Sequence, residues 1–366
     1  GILLGLFFTI PFQHGEYFWV SVSQKAHMTP KIGNRPGARR WFGLLFGLLI
    51  SALAAYLVLQ WAGWEPLVEA LRQVDLQLIA LAVIIFLLSM LARSLCWREL
   101  LDREYSLLQV LAALNEGYLL NNMLPWRLGE FGRAILLGRK GKKGTLNVLA
   151  TIFVERMLDV FIAFSILIAL LPTAAGLPEA RRTGFILAGI LIAGAVVVWI
   201  LLRESTWIHW FLARLPGNKD RWVGMWDRLQ SGLMVLREPD RLLRSLSWLM
   251  ISWFLAGIEY WLVLRAFLPQ ASLLWAYFML TVTLLGIAIP SSPGFIGVFE
   301  AAGVIALSVF GVPRGDALAA SLMIHGIVYL VGSALGAVAM TREGDTLVGI
   351  YRQIRTRFSV ETAADT

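Results

Sequence analysis

Runs of about twenty apolar residues recur along this chain, and that is the length an α-helix needs to cross the hydrocarbon core of a bilayer. Hydrophobic residues make up 58% of the sequence and charged residues 15%, whereas soluble domains carry about 25% charged residues. The sequence therefore predicts an all-α, polytopic helical membrane protein with about six full spans. These spans are expected at about 41–62, 76–97, 146–171, 184–202, 245–267 and 317–340.

Two regions, 107–138 and 273–311, interrupt this series of spans. Each holds two apolar pieces too short to cross a bilayer. The pieces of the first are 107–123 and 128–138, with Pro125 between them, and those of the second are 273–289 and 295–311, separated by Pro-Ser-Ser-Pro-Gly at 290–294. Irregular polar backbone is tolerated at membrane depth only against protein or a water-filled cavity. Each region therefore predicts a re-entrant helical hairpin, with an ordinary polar loop as the alternative for the first.

The distribution of Lys and Arg predicts the sidedness of the spans. If both termini are cytoplasmic and both hairpins return to the side they left, the inside segments hold 24 basic residues and the outside segments hold 4, as the positive-inside rule requires. We expect a multi-pass protein of the cell inner (plasma) membrane. In this topology the order span, span, hairpin, span occurs twice from opposite sides, which predicts an inverted repeat.

The predicted organisation has four parts. Residues 1–40 form an N-terminal segment with a basic tail, left unassigned because the apolar run at 1–12 is too short to span. The first membrane repeat covers 41–171 and the second covers 172–340. A basic cytoplasmic tail follows at 341–366.

Residues 203–244 interleave eight basic residues with four tryptophans. Such a segment could bind single-stranded nucleic acid, but beside a membrane it is more typical of an amphipathic interfacial region. We therefore interpret the net charge of +8 as attraction to anionic leaflet lipids, and we expect no nucleic-acid partner.

Polar residues cluster in the first hairpin and in the span that follows it. On a helix beginning near Pro125, Arg127, Glu130 and Arg133 would share one face, because residues three apart are neighbours. Guanidinium groups suit phosphate, carboxylates suit cations or protons, and helix starts after the two proline segments would add free N–H groups for an anion. The alternative is a set of salt bridges that only fixes helix packing. The candidate substrate-binding residues are Asn121, Asn122, Arg127, Glu130, Arg133, Glu155, Arg156, Asp159, Gly294, Gly297 and Glu300.

Other ionisable residues in the spans receive simpler interpretations. Arg93 is expected to extend toward the membrane interface, and Glu259 and His325 are expected to be structural. Glu300 could be a proton site or a packing carboxylate. The single cysteine, Cys96, excludes an intrachain disulfide, and the sequence contains no nucleotide, zinc or hydrolase motif. We predict no metal, no cofactor and no catalytic residue.

Three motifs together resemble the flippase-like family of the lysylphosphatidylglycerol synthase transmembrane region. They are Asn121-Asn122-x-x-Pro125-x-Arg127-x-Gly129-Glu130-x-x-Arg133, Glu155-Arg156-x-x-Asp159 and Pro293-Gly294-x-x-Gly297-x-x-Glu300. The resemblance covers about 40–340, and His325 stands where the family often has arginine.

This family is similar to the membrane domain that moves aminoacylated phosphatidylglycerol between leaflets in multiple peptide resistance proteins. Those proteins carry a soluble aminoacyl-transferase domain after the membrane part. Since this chain ends at Thr366, we expect no such domain. The resemblance implies a lipid translocase, not an enzyme, for an anionic phospholipid or a polyprenyl-phosphate-linked lipid. The alternatives are a membrane-embedded lipid-modifying enzyme and a non-catalytic membrane partner of a separate synthase or glycosyltransferase.

Overall fold

The computed structural model describes residues 64–124, 127–142, 144–175, 238–288, 293–344 and 349–350, with a few single positions between 186 and 226. The predicted spans at 41–62 and 184–202, most of the basic region 203–244 and both terminal segments lie outside the described residues. Within the described part, the complete elements are helical. They are α1 (Trp64–Arg72), α2 (Leu76–Leu100), α3 (Leu107–Met123), α4 (Leu128–Gly138), α5 (Gly144–Ala175), α6 (Pro239–Phe267), α7 (Leu273–Ala288), a 3-10 turn at Pro293–Phe295, α8 (Val298–Ser308) and α9 (Arg314–Glu343).

These helices confirm the predicted fold class, an all-α membrane protein. The spans expected at 76–97, 146–171, 245–267 and 317–340 each fall within one helix, namely α2, α5, α6 and α9. Helices α2, α6 and α9 are long and apolar enough to cross a membrane. Helix α5 is longer, with 32 residues, and it carries the acidic and basic residues of the second motif.

Local side-chain hydrogen bonds fix where several helices begin. Asp75 Oδ1 accepts the N–H groups of Gln77 and Leu78 at 2.9 and 3.3 Å, before the apolar run of α2. Ser106 and Gln109 form a reciprocal capping box at the start of α3. Such caps satisfy N–H groups that have no partner within the helix, and each stabilises a helix by about 1 kcal/mol.

The first interrupted region forms a helical hairpin at the predicted place. Helix α3 ends at Met123 and α4 begins at Leu128. The two arms run antiparallel and touch closely, since a Cβ on Gly129 would lie 2.1 Å from the carbonyl oxygen of Gly117. Only glycine permits that approach.

The second interrupted region is also a hairpin, with a later start of its second arm than the sequence suggested. An apolar arm was predicted from residue 295, but α8 begins at Val298. Gly294, Phe295 and Gly297 have φ values of 66°, 58° and 86°, and a left-handed backbone cannot continue a right-handed helix. The insertion of both hairpins into a membrane from one side stays a prediction.

The long helices pack against one another and against the arms of the hairpins. Helices α2 and α6 pack antiparallel along their length, from the Asp75 N–H that donates to Ala266 O at 3.3 Å to the contact of Arg244 with Glu99 at 3.1 Å. The first arm of each hairpin packs on the long helix after the other hairpin, α3 on α9 and α7 on α5. The second arm packs on the helix that directly follows it, α4 on α5 and α8 on α9.

Candidate functional site

Six charged side chains from three helices form one network. Helix α2 contributes Arg93, α4 contributes Glu130 and Arg133, and α5 contributes Glu155, Arg156 and Asp159. Three guanidinium groups therefore face three carboxylates, and the network has no net charge when all six are ionised. A balanced set is the arrangement in which buried ions are tolerated, because each charge is compensated by a neighbour.

Arg93 binds the two most buried carboxylates of this network. Its guanidinium donates to both oxygens of Asp159 at 2.8 and 3.1 Å and to Glu155 at 2.9 Å. The Trp253 Nε1–H of α6 also donates to Asp159, at 3.1 Å. The prediction that Arg93 extends to the membrane interface is wrong, because two buried carboxylates lie within reach inside the protein. The one signal in the sequence was an arginine inside an apolar span, which by itself suggests a functional or paired position.

Arg133 connects the first hairpin to the buried carboxylate of Glu155 on α5. It lies 2.6 Å from Glu130 and 3.2 Å from Glu155, with a side chain only 3% exposed. Its guanidinium also lies 4.6 Å from the ring centroid of Trp97, a cation–π distance. The Trp97 Nε1–H donates to Thr151 Oγ1 of α5 at 3.1 Å. Arg133 is therefore confined on all these sides by α2, α4 and α5.

The remaining pair faces a small cleft. Arg156 and Glu130 are 33% and 20% exposed, and they approach each other to 4.0 Å. Glu155, directly beneath them, is fully buried and accepts from Arg156 at 2.6 Å. The cleft has a volume of about 10 Å³ and is lined by Leu114, Gly117, Tyr118, Asn121, Gly129, Glu130, Arg133 and Arg156. That is room for about one water molecule, so a headgroup can enter only if the surrounding helices move apart.

Arg127 does not belong to this cluster, and its predicted position is wrong. It precedes the first residue of α4 and has a left-handed backbone, with φ 52° and ψ 36°, so the three-residue spacing of a helix does not apply to it. Its guanidinium donates to the Ile287 carbonyl at the end of α7, at 2.6 Å, and lies 5.1 Å from the Phe295 ring centroid. Arg127 therefore contacts the tip of the other hairpin.

The N–H groups expected to bind an anion at the two helix starts are taken by the chain itself. Gly129 N–H donates to Asn121 Oδ1 at 2.9 Å, and Gly297 N–H donates to Glu300 Oε2 at 2.6 Å. At these two groups the predicted anion site is wrong, because a local amide and a local carboxylate already supply the acceptor.

Asn122 of the first hairpin and Gly294 of the second lie against α9 and do not line the cleft. The Asn122 amide donates to Ser333 Oγ at 2.8 Å and to the Tyr329 carbonyl at 3.3 Å. A Cβ on Gly294 would lie 2.6 Å from the Tyr329 ring. Both candidate residues therefore serve the contact between the hairpins and the last helix.

Glu300 has a partner that the sequence did not reveal. Its Oε1 lies 2.5 Å from Nδ1 of His325 on α9, and the imidazole stacks on Phe299 with 4.6 Å between centroids. Glu300 and His325 were considered separately because 25 residues separate them in the sequence. Glu259 is also buried, and its Oε1 has no hydrogen-bond partner within the described residues.

Comparison with known proteins gives a consistent result. A family model described as the lysylphosphatidylglycerol synthase TM region matches residues 44–336. A UPF0104 membrane protein of Pyrococcus horikoshii is 23% identical over 326 residues, covering 82% of this chain and 97% of that protein. One from Methanothermobacter thermautotrophicus is 26% identical over 334 residues, covering 83% of this chain and 96% of that protein. No solved structure matches the chain.

Proposed function

The chain belongs to the lysylphosphatidylglycerol synthase TM region family, and from that premise we propose that it is a lipid translocase. Its substrate would be an anionic phospholipid or a polyprenyl-phosphate-linked lipid, moved between leaflets without chemical change. The headgroup would enter the cleft of the first hairpin while the acyl chains stay in the bilayer.

The observation that carries this proposal is the partly exposed pair Glu130 and Arg156. Beneath it lie the four more buried charges of the network, two guanidinium groups and two carboxylates. A phosphate that enters the cleft can accept from Arg156 and displace the weak 4.0 Å contact with Glu130. Arginine favours such a partner because its planar fork matches phosphate oxygens. Glu130 can then accept from a hydroxyl or an ammonium of the same headgroup. The buried ion pairs of Arg93 with Glu155 and Asp159 would stay intact throughout.

The pairing of helices supports the inverted repeat that translocation would use. If 41–171 and 172–340 are equivalent, α2 corresponds to α6, the hairpin α3–α4 to α7–α8, and α5 to α9. Each contact then has a counterpart: α3 on α9 with α7 on α5, and α4 on α5 with α8 on α9. Because α2 and α6 run antiparallel, the symmetry axis would lie in the membrane plane. Transporters with this architecture open alternately to the two sides.

A leaflet-resolved assay tests the proposal. The purified protein is placed in liposomes that contain fluorescent NBD-phosphatidylglycerol, and dithionite quenches the label in the outer leaflet only. We expect the wild type to expose inner-leaflet label, and Glu130→Gln or Arg156→Gln to slow this at least tenfold. Glu238→Gln and Arg103→Gln are matched controls, since both replace an exposed side chain whose partner, Arg241 or Glu99, keeps a second ion pair. A chemically new lipid product would instead indicate an enzyme.

A double-mutant cycle at Glu130 and Arg133 separates transport from scaffolding. These side chains lie 2.6 Å apart. Removing one leaves the other with only a longer contact, 3.2 Å from Arg133 to Glu155 or 4.0 Å from Glu130 to Arg156. Each single variant should therefore lose stability, by at most roughly 3–5 kcal/mol. We expect the double variant Glu130→Gln with Arg133→Gln to recover thermal stability in detergent but not translocation. If activity returned in step with stability, the pair would be structural only.

A further inference from the structure

We propose that Glu300 and His325 form a proton-binding site that couples lipid movement to a proton gradient. This inference rests on the proposed translocase function and adds the driving ion. The pair lies in the second hairpin and the last helix, away from the arginine network.

The geometry of the contact fixes where one proton must be. With only 2.5 Å between His325 Nδ1 and Glu300 Oε1, two lone pairs facing each other would repel, so one proton lies between these two atoms. The other carboxylate oxygen accepts the Gly297 N–H at 2.6 Å. Both acceptor atoms of Glu300 are thereby occupied, and Nε2 of the imidazole is left as the position that can gain or lose a proton.

Proton binding at Nε2 changes the net charge of the pair. With a neutral imidazole the pair carries one negative charge, and with an imidazolium it is a neutral ion pair. The side chains are only 10% and 6% exposed, and an uncompensated charge inside a membrane protein is costly. Gly297 N–H and the start of α8 stabilise the carboxylate in both states. Imidazole can both bind and release a proton, which is why histidine serves as a proton-binding group in many transporters and pumps.

The helices around the pair bring few competing charges to it. Helix α8 carries Glu300 alone, and the charged residues of α9 stand at its two ends. Arg127 is the cation that the first hairpin brings to Phe295. Several titratable side chains stand on the helices that pack against α8 and α9. They include Tyr329 of α9, 6.1 Å from the imidazole between centroids, Tyr277 of α7, which donates to Phe254 O, and Tyr118 of α3, which lies against Gly332. Others are Glu116 of α3, Glu65, Glu69 and Arg72 of α1, and Glu259, Tyr260 and Arg265 of α6.

The site is connected to the contact between the two hairpins. Tyr329 follows His325 by one helical turn, its carbonyl accepts from Asn122 of the first hairpin at 3.3 Å, and its ring fills the space beside Gly294. A change in the charge of the pair therefore acts on α8 and α9 at the point where the first hairpin is held. Coupling needs such a shared element, whose arrangement both the proton and the lipid can bias.

The test imposes a pH gradient of one unit across the proteoliposomes and follows NBD-phosphatidylglycerol in both leaflets. With one proton per lipid, the wild type should accumulate the label about tenfold in one leaflet, because one pH unit corresponds to a factor of ten. A protonophore should abolish the asymmetry. His325→Gln and His325→Asn should still equilibrate the label, which shows that they are folded, but without accumulation. Glu238→Gln, as the control, should accumulate it like the wild type.

Each other outcome has a definite meaning. If the wild type moves lipid and ignores the gradient, the proton site is overturned while the translocase stands. If Glu259→Gln abolishes accumulation and the His325 variants do not, the proton binds elsewhere. If the wild type moves no lipid, the proposed function fails. Infrared difference spectra between pH 5 and 8 then decide whether the pair binds a proton at all, and a signal unchanged by His325→Gln overturns the site.

Discussion

The two hairpins share a backbone plan but differ in chemistry. In each, the second residue after a proline has a left-handed backbone: Arg127 after Pro125, with φ 52°, and Phe295 after Pro293, with φ 58°. The guanidinium of Arg127 lies over the ring of Phe295, so equivalent positions of the two tips contact each other. This correspondence supports two copies of one structural unit.

The difference lies in the cation that meets the carboxylate of each second arm. Glu130 meets Arg156 and Arg133, which keep their charge at any physiological pH, whereas Glu300 meets His325, which can be neutral. The first hairpin therefore keeps fixed charges beside a cleft, and the second has a closed pair whose charge can change. Two hairpins of similar backbone can thus separate the proposed binding of a charged headgroup from the proposed binding of a proton.

The largest expected effect concerns the side of the membrane that each hairpin faces, because an impermeant reagent either reaches a cysteine from one side or does not. In a Cys96→Ser background, a cysteine at Lys142, after the first hairpin, should react with an impermeant thiol reagent from the cytoplasmic side. A cysteine at Arg314, after the second hairpin, should react from the opposite side. Reaction of both from the same side would show that the repeats are not inverted.

The next prediction compares the stability lost when each of two buried carboxylates, Glu155 and Glu300, is replaced. Glu155→Gln leaves three guanidinium groups with two carboxylates, and we expect it to lower the free energy of unfolding by roughly 3–5 kcal/mol. Glu300→Gln should lower it less, because His325 can remain neutral when its partner is lost. Thermal melting in detergent measures both variants. Equal losses would contradict the distinction between fixed and titratable partners.

Much of this comparison was accessible from the sequence. Apolar runs of limited length around Pro125 predicted arms at 107–123 and 128–138, which are the bounds of α3 and α4, because helix length in a membrane protein is set by the hydrophobic pattern. The motifs also predicted that Glu155, Arg156 and Asp159 are candidates for one polar cluster with Glu130 and Arg133, and the structure brings these five together.

Two of the failures concern residues whose partners are distant in the chain. Arg93 pairs with carboxylates more than sixty residues away, and Glu300 with a histidine on the next helix. Helical spacing says which side chains share a face of one helix, but it does not say which faces of different helices meet. Arg127 failed for a local reason, since its left-handed backbone precedes the helix on which it was placed.

A smaller effect is expected from overpacking the contact between the two arms of each hairpin. A Cβ on Gly129 would lie 2.1 Å from a backbone oxygen, whereas one on Gly286 would lie 3.0 Å from the Cβ of Ala302. We expect Gly129→Ala to cost about 3 kcal/mol and Gly286→Ala about 1 kcal/mol, the range typical of overpacking. Gly326→Ala, in α9, is the control because nothing lies within 4 Å of its Cβ position. If melting of Gly129→Ala matched that of the control, the close approach of the first hairpin's arms would be wrong.

The smallest effect distinguishes two adjacent amides of the first hairpin. Asn121 accepts the Gly129 N–H at 2.9 Å within the hairpin, so Asn121→Ala leaves a donor without its partner and should cost about 1–3 kcal/mol. Asn122 donates to the Tyr329 carbonyl and to Ser333 Oγ on α9. That hydroxyl can turn to another acceptor, and the Tyr329 carbonyl lies in a helix, so Asn122→Ala should cost only about 1 kcal/mol. Because Asn122 joins the first hairpin to the helix that carries His325, its loss should weaken accumulation in a pH gradient more than it lowers the melting temperature. The opposite ranking, with Asn121→Ala affecting accumulation and Asn122→Ala affecting only melting, would show that the contact of Asn122 with α9 does not couple transport to the proton gradient.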